Sequence, residues 1–142
     1  MLLGLALGIC SIVAAALLHN FLLLRISAFV PRHRLGKHWV TFCVFALLAL
    51  VHIVEILGFA AILAALSAWL WPTGLTAAAP ADLLYVAGIN YTTLGYAQLE
   101  VSGPLRMVTM LQSLGGFMLL TWSAGYLYSA CGSYWRDEEA GS

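Results

Sequence analysis

The chain has 142 residues, of which 63% are hydrophobic and only 8% are charged, and its mean hydropathy is +0.95. A soluble domain of this size carries more charge, so the composition indicates one small membrane domain. The formal net charge of zero gives no indication of nucleic-acid binding. The sequence shows no nucleotide-binding loop, paired carboxylates or nucleophile beside a base, so we do not expect an enzyme.

The first apolar segment, residues 2–24, is long enough to cross a bilayer. It has no basic leading region and no cleavage site of small residues, so we expect a membrane span rather than a signal peptide. His19 and Asn20 interrupt the segment near its downstream end. We expect these side chains to face another helix or the membrane interface.

Residues 25–38 predict a short basic loop. They contain four of the six Lys and Arg residues of the chain, namely Arg25, Arg32, Arg34 and Lys37. The positive-inside rule places this loop in the cytoplasm and the N-terminus outside. Arg32, Arg34 and Lys37 are also candidates for contact with anionic lipid headgroups.

The second apolar segment, residues 39–71, contains two ionisable residues, His52 and Glu55. Their spacing of three residues puts them on one helix face. We interpret them as a hydrogen-bonded pair that fastens this helix to the first one, with His19 as a third member. A proton-sensing or metal-sensing role is the alternative. Two histidines and a carboxylate suit zinc, but the sequence does not show that they converge, so we do not expect a zinc site.

Residues 81–98 follow, beginning with an apolar stretch, Asp82 to Tyr91, that is too short to span a bilayer. Its length suits a re-entrant helix whose carbonyl end points towards the membrane centre and stabilises a cation there. The alternative is an amphipathic helix on the membrane surface.

The last apolar segment, residues 104–130, has small or polar residues at helical spacing on one face. We expect that face to line a pore, with Thr109, Gln112, Gly116 and Ser123 as candidate lining residues. The adjacent glycines Gly115 and Gly116 allow close packing or a kink in this helix.

The run Thr92-Thr93-Leu94-Gly95-Tyr96-Ala97 resembles the T-V/L-G-Y-G-D selectivity filter of tetrameric potassium channels. Residues 85–96 are similar to the aromatic-led pore helix and filter of that family, and residues 39–130 to its two-helix pore module. With its first helix, the whole chain resembles small three-helix bacterial ion channels. These channels carry a His-x-x-Glu in the outer helix, which His52 and Glu55 match.

This resemblance implies an all-α membrane protein with three transmembrane helices, a re-entrant pore helix and a filter loop. It implies a homotetramer in the bacterial inner membrane that conducts potassium passively, with its C-terminus in the cytoplasm. Thr93, Leu94, Gly95 and Tyr96 would supply the filter oxygens that bind potassium ions, and we expect no other metal. Gly115 and Gly116 look like the flexible glycine of the inner helix in that family, which makes them candidates for a hinge. Ala97 and Gln98 replace the expected glycine and aspartate, which leaves the preference for potassium over sodium open.

Two other functions remain compatible with the sequence. One is a non-conducting scaffold or accessory subunit that keeps a degenerate filter. The other is a proton-linked or metal-linked transporter that uses His19, His52 and Glu55. Inverted repeats would favour a transporter, and the sequence shows none.

Overall fold

The computed structural model describes residues 1–29, 36–75, 79–94 and 100–139, and these form a bundle of α helices. The predicted all-helical class is confirmed for this part of the chain. Three helices are long and one is short. In chain order they are α1 (Leu2–Phe29), α2 (Lys37–Trp69), α3 (Pro80–Tyr91) and α4 (Leu105–Glu139).

Two helices are longer than the sequence indicated. The first helix was expected to end at residue 24 but continues through Arg25 to Phe29, because a charged residue at the end of an apolar run does not break a helix. The Arg25 guanidinium lies over the Phe21 ring, 4.8 Å from its centre. α4 likewise continues beyond residue 130 to Glu139. Arg32 and Arg34 lie outside the described residues.

Small residues let α1 lie close to α4. A Cβ at Gly4 would be 2.5 Å from the Pro104 carbonyl oxygen, and one at Gly8 would be 2.6 Å from the Leu111 side chain. Successive contacts advance along both helices in the same direction, so α1 and α4 run parallel. The buried face of α1 consists of Gly4, Gly8, Ser11, Ala15, His19, Leu23 and Ile26.

α2 runs antiparallel to α1 and α4. Near the start of α2, Val40 and Val44 pack with Leu23 and Ile26 from the end of α1. Towards the other end of α2, a second apolar cluster joins it to α3 and α4. The fully buried members of that cluster include Phe59, Leu63, Val86, Leu105 and Val108.

The chain leaves α2 and enters α4 at the same end of the bundle. Leu75 and Val101 form an isolated antiparallel bridge, and the Ser102 backbone N–H donates to the Gly74 carbonyl oxygen at 2.9 Å. α3 lies between these two points in the sequence. At its start, the Ala79 N–H donates to the Asp82 carboxylate at 3.0 Å, a local bond that is typical of a helix N-terminus.

By length and composition, α1 and the stretch His38–Trp69 of α2 are candidate membrane spans. α4 has the length to cross a bilayer. Its polar residues, which include Arg106 and Gln112, lower its hydropathy below that of the other two long helices.

Candidate functional site

A cluster of polar side chains joins all four helices inside the protein. Glu55 of α2 is at its centre and is almost completely buried. One Glu55 carboxylate oxygen lies 2.7 Å from Nδ1 of His19 in α1. The other oxygen lies 3.1 Å from Nδ1 of His52 and 2.5 Å from the Tyr91 hydroxyl at the end of α3. Ser123 of α4 completes the cluster, with Oγ 3.3 Å from Nε2 of His19.

The hydrogen-bond pattern assigns some of the protons in this cluster. The Tyr91 hydroxyl donates its single hydrogen to Glu55. Nδ1 of His52 lies 2.6 Å from the same hydroxyl oxygen and therefore donates to it. Nδ1 of His19 faces the other Glu55 oxygen, and its Nε2 faces the Ser123 hydroxyl, which can donate or accept a hydrogen bond. With both imidazoles neutral and Glu55 ionised, the buried cluster would carry one net negative charge.

Only part of this cluster is recognisable from the sequence. His52 and Glu55 are indicated by their spacing, and His19 by its place in an apolar segment. Tyr91 was expected only as the last residue of the short apolar stretch that begins at Asp82, and it was given no role in the cluster. Ser123 was assigned to a pore-lining face, whereas the structure places it beside His19, where it is only 5% exposed.

Gly116 fixes the depth of α3 in the bundle. A Cβ at this position would overlap the backbone of Tyr91, including its carbonyl oxygen. Gly115 is also in close contact, since a Cβ there would lie 2.9 Å from the Ile12 side chain of α1. Both glycines are buried within the continuous helix α4. The hinge at this place stays a prediction.

The C-terminal end of α3 is closed by two backbone hydrogen bonds. The Leu94 N–H donates to the Ile89 carbonyl at 3.1 Å, and the Thr93 N–H donates to the Asn90 carbonyl at 3.0 Å. This is the Schellman arrangement, which requires a left-handed residue and usually uses glycine. Thr93 occupies that position with φ 59°. A β-branched residue there is strained, which is a feature of functional loops.

The filter-like run is described only in its first half. Thr92, Thr93 and Leu94 are exposed on the surface of the protomer, and Leu94 retains 75% of its accessible surface. The Thr93 hydroxyl donates to the Thr92 carbonyl at 2.7 Å. Gly95, Tyr96, Ala97 and Gln98 lie outside the described residues.

The four candidate pore-lining residues are buried within the chain, and one of them, Thr109, also contributes to the wall of an open cleft. Thr109 is 8% exposed, Gln112 and Gly116 are buried, and Ser123 contacts His19. The Gln112 amide donates to the Phe59 carbonyl at 3.4 Å, and its own oxygen has no partner among the described residues. A side chain that lines a pore between subunits would be exposed in one protomer. The physical reason for this difference is that the other three helices cover this face of α4.

An open cleft of about 550 Å³ lies beside the end of α3. On one side, polar side chains in its wall come from α3 and the turn after it, namely Asn90 and Thr93. On the other side they come from the first half of α4, namely Arg106, Thr109 and Ser113.

Comparison with protein-family models, curated proteins and solved structures finds no match. A functional assignment for this chain therefore depends on the chemistry and placement of its own residues.

Proposed function

We propose that the protein is a homotetrameric cation channel that conducts potassium passively through the loop after α3. Thr93, Leu94, Gly95 and Tyr96 would supply the oxygen atoms that replace the hydration shell of the ion. The observation that carries this proposal is the placement of α3. The helix begins at the end of the bundle where Leu75 pairs with Val101, while its last residue, Tyr91, contacts Glu55 near the middle.

The length and depth of α3 support a re-entrant element. Its 12 residues give about 18 Å of helix, much less than the hydrocarbon core of about 30 Å. Tyr91 at its end contacts Glu55, which is near the middle of α2. Irregular backbone at that depth is stable in a membrane only where protein or water covers it. The partial negative charge of the α3 carbonyl end would favour a cation at this place.

The exposure of Thr92, Thr93 and Leu94 supports an axis between subunits. One chain supplies one loop, whereas a ring of coordinating carbonyls needs several. Fourfold symmetry would bring four copies of Thr93 together. The strained φ of Thr93 would then be a means of aiming its carbonyl and hydroxyl at the axis.

The pore wall in this proposal comes from the exposed face of α4, since the residues first expected there are buried. Thr121, Gly125 and Ser129 recur at a spacing of four residues, and all three are exposed. Space around Gly125 is open within the protomer. The Thr121 and Ser129 hydroxyls donate to carbonyls of their own helix. Their oxygen lone pairs would remain available to hydrated ions.

Three membrane spans follow from this proposal, with α4 as the third. α1 and α4 run parallel, and α2 runs antiparallel to them. α1 and α4 would therefore begin on one side of the membrane, and α2 would begin on the other. The basic residues 25–37 would lie on the cytoplasmic side and near anionic lipid. The N-terminus would then be outside and the C-terminus in the cytoplasm.

Ala97 supports one competing function, a non-conducting scaffold or accessory subunit. In the resembled filter this position is glycine, and a left-handed alanine costs about 1–2 kcal/mol. That cost would be repeated in each subunit. A scaffold would keep the same fold and assembly but would not pass ions.

Mass measurement in lipid combined with potassium flux from liposomes tests the proposal. We expect a tetramer, and a potassium flux that requires the protein and ceases in Gly95→Ala. Gly58→Ala is the matched control, because this glycine is exposed on α2 and has nothing within 4 Å of the added Cβ. A tetramer without flux would indicate the scaffold, and a stable monomer would contradict both functions.

A further inference from the structure

We propose that His19, His52 and Glu55 form a binding site for a divalent transition-metal ion of the zinc class. The site lies at the junction of α1, α2 and α3. The three residues each offer one ligand atom, and these atoms lie within 4.8 Å of one another. The His19 and Glu55 side chains are fully buried, and the His52 side chain keeps 15% of its exposure.

The charge of the cluster favours a cation. Among the described residues, the ion-pair partners of Glu55 are the two histidines, which are charged only if they are protonated. An ionised carboxylate in the middle of a membrane helix is costly unless it is compensated. With neutral histidines, a divalent ion would convert the net charge of the cluster from minus one to plus one. The other compensation available within the cluster is an additional proton, on a histidine or on Glu55 itself.

The ligand atoms select the class of ion. Imidazole nitrogens suit zinc, cobalt, nickel and copper, whereas magnesium and calcium prefer sites made only of oxygen. Zinc bonds to histidine and carboxylate are about 2.0–2.2 Å long, so ligand atoms around one tetrahedral ion are about 3.3–3.6 Å apart. The three ligand atoms here lie within 4.8 Å of one another. Rotation of the partly exposed His52 side chain would bring its ring nitrogen closer to the other two ligands.

The surroundings of the ligands also fit a metal site. With Nδ1 of His19 bound to metal, Nε2 would carry the proton and donate to the Ser123 hydroxyl, which already lies at 3.3 Å. Such a second hydrogen bond orients metal-binding histidines. The Tyr91 oxygen, 2.6 Å from Nδ1 of His52, is placed to accompany the three ligands or to hold a bound water.

A bound ion would fasten α1 to α2 and hold the end of α3 through Tyr91. Metal binding would therefore stabilise the bundle directly below the Thr92–Leu94 loop. This inference does not require the protein to conduct ions. The test of the metal site measures metal binding and thermal stability, not ion flux. A protein that binds no metal could therefore still be a channel, and a protein that passes no ions could still bind metal.

The test is a Co²⁺ titration of the purified protein in lipid nanodiscs, after treatment with a chelator. The native cysteines are first replaced with alanine, to remove thiolate ligands. We expect visible absorption bands from Co²⁺ in a low-symmetry site, saturating at one ion per chain. Zn²⁺ should abolish the bands and raise the melting temperature, and Mg²⁺ should do neither.

Two conservative variants and one control assign the site. Glu55→Gln and His52→Gln should each weaken Co²⁺ binding by at least about 10-fold, since even outer-shell changes cost 10–100-fold. His38→Gln should bind as the parent does, because His38 is an exposed histidine of the same helix outside the cluster.

Absence of Co²⁺ bands and of a Zn²⁺-induced rise in melting temperature in the parent protein would overturn the proposal, and would indicate a cluster compensated by a proton. Equal binding by the parent, Glu55→Gln and His52→Gln would overturn it as well. The parent titration decides the question even if a variant fails to fold.

Discussion

Gly116 of α4 lies directly against the backbone of Tyr91, the last residue of α3, so that a Cβ at this position would overlap the Tyr91 carbonyl oxygen. The neighbour is main chain and cannot turn away as a side chain would. The absence of a side chain at Gly116 is therefore what lets α3 sit at its observed depth beside α4.

Gly116→Ala should lower the free energy of unfolding by about 1–3 kcal/mol, as overpacking of a close contact does. Melting temperature in detergent is the measurement. Gly125→Ala is the control on the same helix, because nothing lies within 4 Å of its added Cβ. That variant should be unchanged or more stable, since alanine favours the helix. Equal melting temperatures for the two variants would contradict the close contact.

Tyr91→Phe should destabilise the polar cluster, because it leaves Glu55 and His52 without a shared hydroxyl. Removal of one partner from a buried polar group costs about 1–3 kcal/mol. Tyr85→Phe makes the same change on the exposed face of α3, where the side chain keeps 58% of its surface, and should be neutral. If both variants unfold alike, the Tyr91 hydroxyl is not part of a stabilising network.

Thr93→Gly should raise stability by about 1 kcal/mol, because glycine accepts the left-handed conformation that threonine disfavours. Thr92→Gly is the comparison, since that residue has φ −84° and its hydroxyl donates to the Gly88 carbonyl. It should be destabilising. A loss of stability in Thr93→Gly equal to that in Thr92→Gly would show that position 93 is not strained in the protein.

Single cysteines at His38 and Thr73 should react with a membrane-impermeant reagent from opposite sides of the membrane. Both residues are exposed; His38 lies at the start of α2, and Thr73 lies four residues beyond its other end. These single-cysteine variants are made in a protein in which Cys10, Cys43 and Cys131 are replaced by alanine. Reaction at position 38 only from the cytoplasmic side supports the proposed orientation. Reaction of both positions from one side would exclude α2 as a membrane span.

The sequence predicts the helices well because apolar segments of sufficient length have few alternatives to helix in or out of a membrane. Their ends are less predictable. Arg25 and Arg136 are compatible with helix, and α1 and α4 pass through them. Gly4 and Gly8, which lie against Pro104 and Leu111, share a buried face with Ser11 and Ala15. These four residues have the small-residue spacing of close helix pairs. The sequence contains this signal, but it does not show that α4 is the helix against which these residues pack.

The sequence also does not show which side chains from different helices meet in the polar cluster. His52 and Glu55 share a face by their spacing alone, whereas the approach of His19, Tyr91 and Ser123 depends on how three other helices pack. A pattern of small and polar residues identifies a packed face of α4, but it does not show whether a pore or another helix lies against that face. In the structure Thr109 and Gln112 on this face are buried within the chain.

The central claim is that the loop after α3 selects potassium ions, and reversal potentials in liposome patches test it most directly. With potassium and sodium on opposite sides, the parent protein should show a reversal potential displaced towards the potassium equilibrium potential. Gly95→Ala should abolish the current or shift the reversal potential towards zero, because a Cβ restricts the backbone that aims the carbonyls. The exposed Gly58→Ala variant should behave as the parent. If Gly95→Ala conducts and selects as the parent does, residues 93–96 are not the filter.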